Sequence, residues 1–315
     1  MYYQRVIFRS LFRIKQVNTM QSLVRFIGIL VTTIVFLSGC ANLGKPSGVG
    51  TEMAQIPITE NPSGNTYPGK FIWHDLVTPD PQLAGKFYEE LFGWQIDYQG
   101  QYALVRNGDK LIAGILKVEP SGDRDGKGVW LPSVSVTDVD AAVSLVKDNG
   151  GTILKGPVDM GQRGRAVLIS DPQRADIVLL NAKDGDPSDV EAEIGDWLWD
   201  EIWTDDPDNI EAFYASVLGY DQMVSKGDYD IFMHQGKWRA GLRHMPDNSI
   251  HMLWVPVVRV ADPEVTTQRV KELGGVVWVT PDKAPNRGNT ALIADPTGTL
   301  FLIQRWPPRS SKGEQ

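Results

Sequence analysis

The chain has 315 residues, a formal net charge of −8 and 42% hydrophobic residues. This composition is typical of a globular protein with about two domains. The acidic balance, with no basic patch among aromatic residues, excludes a typical nucleic-acid interface. Cys40 is the only cysteine, so the chain cannot form an internal disulfide.

The N-terminal segment is organised as an export signal. Residues 1–25 carry five basic side chains and no acid, and residues 26–37 are almost wholly apolar. This apolar run is short for a spanning helix, which needs about 20 residues. Leu37-Ser38-Gly39-Cys40 follows and resembles the lipobox of bacterial lipoproteins. The resemblance implies cleavage before Cys40, lipidation of Cys40 and membrane attachment through that lipid.

We therefore expect a lipid-anchored protein of the bacterial cell envelope. Ala41 after the cysteine favours the outer membrane, with the body facing the periplasm. The alternative is an uncleaved N-terminal anchor in which Cys40 has no role. Residues 1–39 are the predicted signal peptide. Residues 40–67 are rich in Gly, Pro, Ser and Asn, which predicts a flexible tether.

The folded body contains one motif twice, at a constant offset of 126. The first copy comprises Trp73-His74-Asp75-Leu76, Thr78-Pro79-Asp80-Pro81, Phe87-Tyr88 and Gly93, and the second comprises Trp199-Asp200-Glu201-Ile202, Thr204-Asp205-Asp206-Pro207, Phe213-Tyr214 and Gly219. A repeat at one spacing indicates a duplicated structural unit. Each copy predicts a strand and then a helix, which Asp caps, Pro opens and Gly ends.

A second motif repeats at an offset of 124. Its first copy comprises Trp130, Pro132, Asp138, Gly150-Gly151 and Asp171-Pro172, and its second comprises Trp254, Pro256, Asp262, Gly274-Gly275 and Asp295-Pro296. Three strand-like runs follow the first helix of each domain. The sequence thus predicts an α+β fold in which strand–helix–three strands occurs four times. The predicted ranges are residues 68–182 for the first domain, 183–195 for a polar linker, 196–307 for the second domain and 308–315 for a tail.

The complete set of repeated motifs resembles the vicinal oxygen chelate superfamily. That superfamily holds glyoxalase I, extradiol dioxygenases, fosfomycin resistance enzymes and bleomycin-binding proteins. The closest likeness is to glyoxalase-related proteins with two tandem domains, over residues 69–306. The resemblance implies four βαβββ modules, paired into two domains whose sheets curl around a cavity with helices outside.

Metal-dependent members of this family carry His and Glu ligands at positions that map onto this chain. Those positions hold Trp73, Leu131, Val178, Trp199, Val255 and Leu302. A divalent ion needs His, Cys or carboxylate donors, so we expect neither a family-type metal site nor another cofactor. His74 lies one residue from a ligand position, and a shift of one residue turns a strand side chain to the opposite face. We expect His74 to face the helices.

Strand alternation instead predicts an apolar, Trp-containing pocket with one acid per domain. Its candidate ligand-binding residues are Trp73, Asp75, Ser133, Trp199, Glu201, Arg259 and Gln304. We expect Glu201 to pair with Arg259, since a buried carboxylate needs a partner, and Asp75 to have serines rather than a base nearby. The alternative is structural: the tryptophans fill space and the acids bind backbone groups.

Three classes of function remain open at this point. The leading one is a metal-free binder of a small organic molecule. The second is an enzyme of lyase, isomerase or dioxygenase type with an unconventional metal site. The third is a module for protein interaction. Fold alone does not choose among them.

Overall fold

The structure is a computed structural model that describes residues 56–118, 127–245, 252–285 and 288–308. The predicted signal peptide, Cys40, the start of the tether and the tail from residue 309 lie outside the described residues. Among the described residues, no helix has both the length and the apolar character needed to cross a membrane.

The first domain contains two modules of one strand, one helix and three strands. The first module comprises β1 (Phe71–Thr78), α1 (Pro81–Phe92), β2 (Gln95–Gln99), β3 (Tyr102–Asn107) and β4 (Lys110–Lys117). The second comprises β5 (Val129–Ser135), α2 (Val139–Asp148), β6 (Thr152–Asp159), β7 (Arg165–Ser170) and β8 (Asp176–Asn181), with a 3₁₀ turn over Gly161–Arg163.

The second domain repeats this arrangement. Its first module comprises β9 (Trp197–Thr204), α3 (Pro207–Leu218), β10 (Gln222–Ser225), β11 (Tyr229–His234) and β12 (Lys237–His244). Its second comprises β13 (Leu253–Arg259), α4 (Pro263–Glu272), β14 (Val276–Val279), β15 (Thr290–Ala294) and β16 (Leu300–Gln304). The predicted α+β fold of four βαβββ modules in two tandem domains is therefore confirmed.

Each domain is built on one eight-stranded mixed sheet. The strand orders are β2-β3-β4-β1-β5-β8-β7-β6 and β10-β11-β12-β9-β13-β16-β15-β14. The first strands of the two modules in a domain pair antiparallel at the centre, as Trp73 pairs with Ser133 and Trp199 with Val257. The duplicated Trp-containing strands thus lie in the middle of their sheets.

The helix ends follow the predicted chemistry with one exception. Asp80 caps α1 by accepting a hydrogen bond from the Leu83 amide at 3.0 Å, and Gly93 ends that helix at φ 74°. Gly219 ends α3 in the same way at φ 73°. The expected cap at Asp206 is wrong, because its side chain accepts no amide of α3. Its own amide donates instead to the Thr204 hydroxyl at 3.0 Å.

The helix-bearing faces of the two sheets pack against each other. One hydrophobic core joins α2 of the first domain to α3 of the second, and another joins α1 to the sheet residues around α4. The modules thus pair crosswise, the first with the fourth and the second with the third. Because each domain covers the apolar face of the other, the helices lie between the domains.

Two matching hydrogen-bond chains cross this contact. Trp130 Nε1 donates to the Tyr88 hydroxyl at 3.0 Å, and that hydroxyl donates to Asp295 at 3.1 Å. In the other pair of modules, Trp254 donates to Tyr214 at 2.8 Å and Tyr214 donates to Asp171 at 3.0 Å. All six side chains of the two chains are at most 3% exposed: Tyr88, Trp130, Asp171, Tyr214, Trp254 and Asp295. The duplicated motif residues therefore join the domains.

His74 lies in this contact too, as its register predicts. Its Nε2 lies 3.0 Å from both carboxylate oxygens of Asp200, the residue at the same position in the other copy. The imidazole also packs on the Trp197 ring, with centroids 4.2 Å apart. Both members of the pair are at most 1% exposed, so the pair is a buried link between β1 and β9.

The structure moves one predicted boundary. The tether was expected to extend through residue 67, but Ile58 is buried at 3% exposure among residues of the first domain. Ser63 and Tyr67 also bond to the linker residue Asp186. The folded body therefore includes residues 56–67, because their few apolar side chains pack on the first domain.

The Asp-Pro turns before β8 and β16 have the same backbone conformation. Gly298 has φ 84° and Arg174, at the matching position, has φ 71°. The amides of both residues donate to the preceding Asp carbonyls. A non-glycine residue in this region costs roughly 1–2 kcal/mol, so Arg174 occupies a strained position.

Arg174→Gly should stabilise the protein. Glycine adopts this φ without a Cβ clash, although its more flexible unfolded chain offsets part of the gain. We expect a net increase of about 0.5–1 kcal/mol in the free energy of unfolding, measured by urea denaturation. Gly298→Ala is the matched control and should lower that free energy. An unchanged or lower stability of Arg174→Gly would contradict the strain argument.

The burial of Asp171, which accepts the Tyr214 hydroxyl, makes stability depend on pH. Burial raises the pKa of Asp171 from 3.8 to about 6. The folded state then holds this proton more tightly than the unfolded state. The stabilisation is present below about pH 4, where both states are protonated, and is lost as pH rises through about 6.

Asp171→Asn should therefore flatten the pH dependence of stability in this window. The difference in the free energy of unfolding between Asp171→Asn and the wild type should change between pH 4 and pH 7. The expected change is on the order of 3 kcal/mol. Urea denaturation at each pH measures it. Asp148→Asn, at an exposed position on α2, should retain the wild-type profile. Parallel profiles for the wild type and Asp171→Asn would show that Asp171 is not the titrating group.

Candidate functional site

The face of each sheet opposite the helices is called here its inner face. In the first domain, Trp73, Leu131 and Leu180 lie on the inner face, whereas Leu76 packs toward α1. The predicted strand register is thus confirmed. Ile58 and Met160 also pack into this cluster, at 3% and 5% exposure. The inner face of the first domain is therefore filled by the protein's own side chains.

Asp75 lies within this filled face and its charge is compensated. It accepts hydrogen bonds from Trp73 Nε1 at 3.0 Å, from the Tyr102 hydroxyl at 2.5 Å and from Arg163 at 3.4 Å. Arg163 also donates to the Tyr102 hydroxyl at 2.9 Å. The expectation that Asp75 has only serines nearby is wrong, because the 3₁₀ turn after β6 brings in a buried arginine. Burial, with the Asp75 carboxylate, raises the pKa of Tyr102.

Ser133 completes the first-domain group. It pairs with Trp73 across the sheet and is 3% exposed. Trp73, Asp75 and Ser133 are thus together, as predicted, but in a closed interior. A buried carboxylate with an arginine and two further donors is stable without a ligand. The described side chains around Asp75 therefore fit a structural role.

In the second domain, Glu201 pairs with Arg243. Arg243 Nε and Nη2 lie 2.8 Å and 3.1 Å from the two carboxylate oxygens, and Trp203 Nε1 donates to Glu201 at 2.7 Å. Arg259 instead binds Glu191 at 2.9 Å and the Ala192 carbonyl. The expected Glu201–Arg259 pair is therefore wrong, because the linker passes close enough to bind Arg259.

Both inner faces contain the same acid, glycine and tyrosine arrangement. A Cβ built on Gly114 would lie 1.8 Å from the Tyr102 hydroxyl, and one on Gly241 would lie 1.9 Å from that of Tyr229. Only glycine leaves room for the phenol ring to cross the sheet toward the acid. Burial raises the pKa of Tyr229 well above its usual value, and the Glu201 carboxylate adds to the effect.

The second inner face is more accessible than the first. The Arg243 side chain is 22% exposed, against 3% for Arg163. Arg243 also stacks on the Tyr229 ring, with its guanidinium carbon 4.8 Å from the centroid. Although burial alone would lower it, the Glu201 carboxylate raises the pKa of Arg243. A fixed cation at the edge of an aromatic face can contact a ligand.

Several aromatic and aliphatic side chains on this inner face are only half-buried. They are Trp199, Tyr229, Leu253, Trp278 and Leu300. The ring nitrogens of Trp199 and Trp278 are buried but have no hydrogen-bond partner among the described residues. An apolar surface with a few unused polar atoms is the usual lining of a small-molecule site.

The family's metal-ligand positions lie on these inner faces but do not suit a metal. All six carry Trp, Leu or Val, none of which has a donor for a divalent ion. The described residues also contain no group of three or more His, Cys, Asp and Glu side chains placed to hold a metal ion. His74, the nearest histidine in sequence, binds Asp200 in the domain contact.

A cavity of about 610 Å³ lies between the domains, beside the linker. It is bordered by the starts of β1 and β9, the turn between β3 and β4, β12, and residues 187–192. Trp199 and Gln304 line it, while Trp73, Asp75, Ser133 and Glu201 do not. The seven predicted site residues are thus divided among two inner faces, this cavity and the linker contact of Arg259.

Sequence reasoning missed Tyr102, Arg163, Tyr229 and Arg243. The repeat itself could have found the tyrosines, since Tyr102 and Tyr229 recur at an offset of 127, as do Gly114 and Gly241. Arg243 has no such signal, because the first copy has Leu116 at the matching position. Arginines supplied from different elements cannot be paired with their acids by periodicity alone.

The comparisons agree with this architecture. The model of the Glyoxalase/Bleomycin resistance protein/Dioxygenase superfamily matches residues 70–179, and that of a Glyoxalase-like domain matches residues 199–304. The chain belongs to this superfamily. Among curated relatives, "Putative glyoxylase CFP32" of Mycobacterium tuberculosis is 29% identical over 247 residues, covering 75% of this chain and 95% of that protein. "Anthracycline biosynthesis protein DauV" of Streptomyces sp. is 28% identical over 256 residues, covering 75% and 93%.

Solved structures share the fold at low identity. The Mn(II)-bound glyoxalase from Novosphingobium aromaticivorans has a TM-score of 0.54 and 12% identity, over 76% of this chain and 83% of that one. The 2,3-dioxygenase LapB from Pseudomonas sp. KL28 has a TM-score of 0.54 and 15% identity, over 76% and 93%. These likenesses support the tandem fold and leave the activity open.

Proposed function

We propose that this chain is a lipid-anchored, metal-free member of its superfamily that binds a small organic molecule on the inner face of its second domain. One observation carries the proposal. The acid of the first domain is enclosed with Arg163 among packed side chains, whereas Glu201 pairs with the partly exposed Arg243 beside half-buried aromatic rings. The inner face of the second domain is thus more accessible to a ligand than that of the first.

The chemistry of this face favours an aromatic ligand with one polar group. Trp199 and Tyr229 supply ring surfaces, with centroids 6.1 Å apart. Arg243 can donate a hydrogen bond to the polar group, and Glu201 can accept one. Relatives named for anthracycline biosynthesis support an aromatic class, because anthracyclines are polycyclic aromatic molecules.

A metal-dependent lyase, isomerase or dioxygenase is the second candidate. Its support is the fold shared with the Mn(II)-bound glyoxalase and with the 2,3-dioxygenase LapB. The residues at the family's ligand positions argue against it, since they offer no donors. About one tightly held Mn, Fe, Ni or Zn per purified chain would favour this candidate over the binder. The third candidate is a module that binds a protein partner. A co-purifying envelope protein would favour this third candidate.

Binding of 2-naphthol tests the first proposal, because its hydroxyl can bond to Glu201 and Arg243 while its rings stack on Trp199. Glu201→Gln, Arg243→Lys and Trp199→Ala should each weaken binding, measured by calorimetry on the metal-free chain. Loss of one buried polar contact costs on the order of 1–3 kcal/mol, which corresponds to a tenfold to hundredfold loss of affinity.

His74→Gln is the control for this titration. It should leave the affinity for 2-naphthol unchanged and lower the melting temperature, because it weakens a buried pair between the domains. Melting curves of the other variants should show a folded protein. If His74→Gln abolished binding while Glu201→Gln and Arg243→Lys had no effect, the second inner face would not be the site.

The lipid anchor is tested separately. Cys40→Ala in the full chain should abolish incorporation of labelled fatty acid, because the mature amino-terminal cysteine is the expected acceptor. It should also leave the precursor uncleaved or release the protein from the membrane fraction. Lipid chains contribute about 0.8 kcal/mol per buried CH₂, so several together give stable attachment. Normal labelling and membrane retention in Cys40→Ala would refute the lipoprotein assignment.

A further inference from the structure

The cavity between the domains borders the second inner face, and Trp199 contacts both. None of Glu201, Trp203 and Arg243 lines it. Its walls come from matching parts of the two copies, since Leu111 and Trp238 both line it and differ by an offset of 127. At about 610 Å³, it falls within the usual range of small-molecule pockets, roughly 300–1,000 Å³, which often lie between domains.

The acidic side chains along its wall are largely paired with side chains of the protein itself. Asp200 binds His74, Asp196 binds Lys110 at 3.1 Å, and Glu60 binds Arg106 at 2.6 Å. Asp189 binds Arg239 at 3.0 Å and Lys237 at 2.6 Å, and Glu191 binds Arg259 at 2.9 Å. A cationic ligand would compete with these existing pairs for each carboxylate.

The unpaired polar atoms are mainly donors. Trp199 Nε1 and Arg239 Nε are buried and have no partner among the described residues, and both residues belong to the cavity wall. The Arg239 residue is 9% exposed, and its Nη1 is used by Asp189. Indole and guanidinium nitrogens only donate. A buried donor without an acceptor costs about 1–3 kcal/mol, so an acceptor is the missing group.

His74 contributes a third buried nitrogen. Its Nε2 faces Asp200, while Nδ1 has no partner among the described residues, and the residue lines the cavity. Whether Nδ1 donates or accepts a hydrogen bond depends on the tautomer of the ring, so Nδ1 can pair with either a donor or an acceptor. The two fixed donors, Trp199 and Arg239, therefore define the chemistry more strongly than His74 does.

The apolar part of the wall is a row of three indoles. The Trp199 and Trp238 ring centroids are 6.2 Å apart, and those of Trp238 and Trp306 are 5.9 Å apart. All three rings line the cavity, and Trp238 is 43% exposed. An exposed tryptophan beside two others offers ring surface on which a flat molecule can stack.

We propose that this cavity is a second binding site, and that it takes a flat aromatic molecule bearing carbonyl oxygens. Its rings stack along the three indoles, and its oxygens accept hydrogen bonds from Trp199 and Arg239. The site is independent of the Glu201–Arg243 pair, so either site can fail alone. Lys70 ties the linker to this wall, and burial lowers the pKa of Lys70 to about 8.

Anthraquinone-2-sulfonate is a suitable probe, because it is flat, soluble and has two carbonyl oxygens but no N–H or O–H donor. Calorimetry on the full chain should show saturable binding at one site. Anthracene-2-sulfonate, which lacks the carbonyls, should bind about a hundredfold more weakly, because the bonds to two buried donors are lost. No saturable binding of the quinone, or equal affinity of the two probes, would overturn the proposal.

Variants then locate the site. Arg239→Lys keeps a cation beside Asp189 but removes the Nε donor, and it should weaken quinone binding about tenfold while melting shows an intact fold. Trp238→Leu, at an exposed position, should weaken quinone binding as well. This variant replaces Arg239→Lys in the test if Arg239→Lys is unstable. Arg165→Lys, on the surface with Asp140, should bind like the wild type.

The same titration separates the two sites. Weaker binding of the quinone to Arg239→Lys, with unchanged binding of 2-naphthol, would support the cavity as a site of its own. Wild-type quinone affinity in both Arg239→Lys and Trp238→Leu would overturn the proposal. A loss of quinone binding confined to Arg243→Lys would also overturn it, because the molecule would then occupy the second inner face.

Discussion

The buried chains from tryptophan to tyrosine to aspartate are the constraint on which the two-domain structure depends. Each of them begins in one domain and ends in the other, so its donors and acceptors are satisfied only when both domains are in place. Unsatisfied polar groups in such an interior are costly. The crosswise pairing of modules therefore follows from hydrogen bonding as well as from apolar burial.

This constraint explains why the repeated tyrosines and the Asp-Pro aspartates do not form a site. Tyr88, Tyr214 and the Asp-Pro aspartates are committed to the contact between domains, as are His74 and Asp200. The inner faces are directed away from that contact. The two copies differ there, because Arg163 closes one face and Arg243 borders the other.

Much of the fold followed from the sequence, because repeats, caps and strand alternation are local signals. The offsets of 126 and 124 predicted four modules, and alternation placed Trp73 and Leu76 on opposite faces. The partners of the acids did not follow. Arg163 reaches Asp75 across 88 residues, and Arg243 reaches Glu201 across 42. Such contacts depend on how loops and neighbouring strands meet in three dimensions.

If Cys40 carries the proposed lipid, the packing of Ile58 into the first domain limits how far the body can stand from a bilayer. With a lipid on Cys40, the chain between these two residues spans at most about 60 Å when fully extended. Thr59, Glu60 and Asn61 border the cavity between the domains. Under the proposed anchoring, the lipid-bearing segment would therefore join the body at the wall of this cavity.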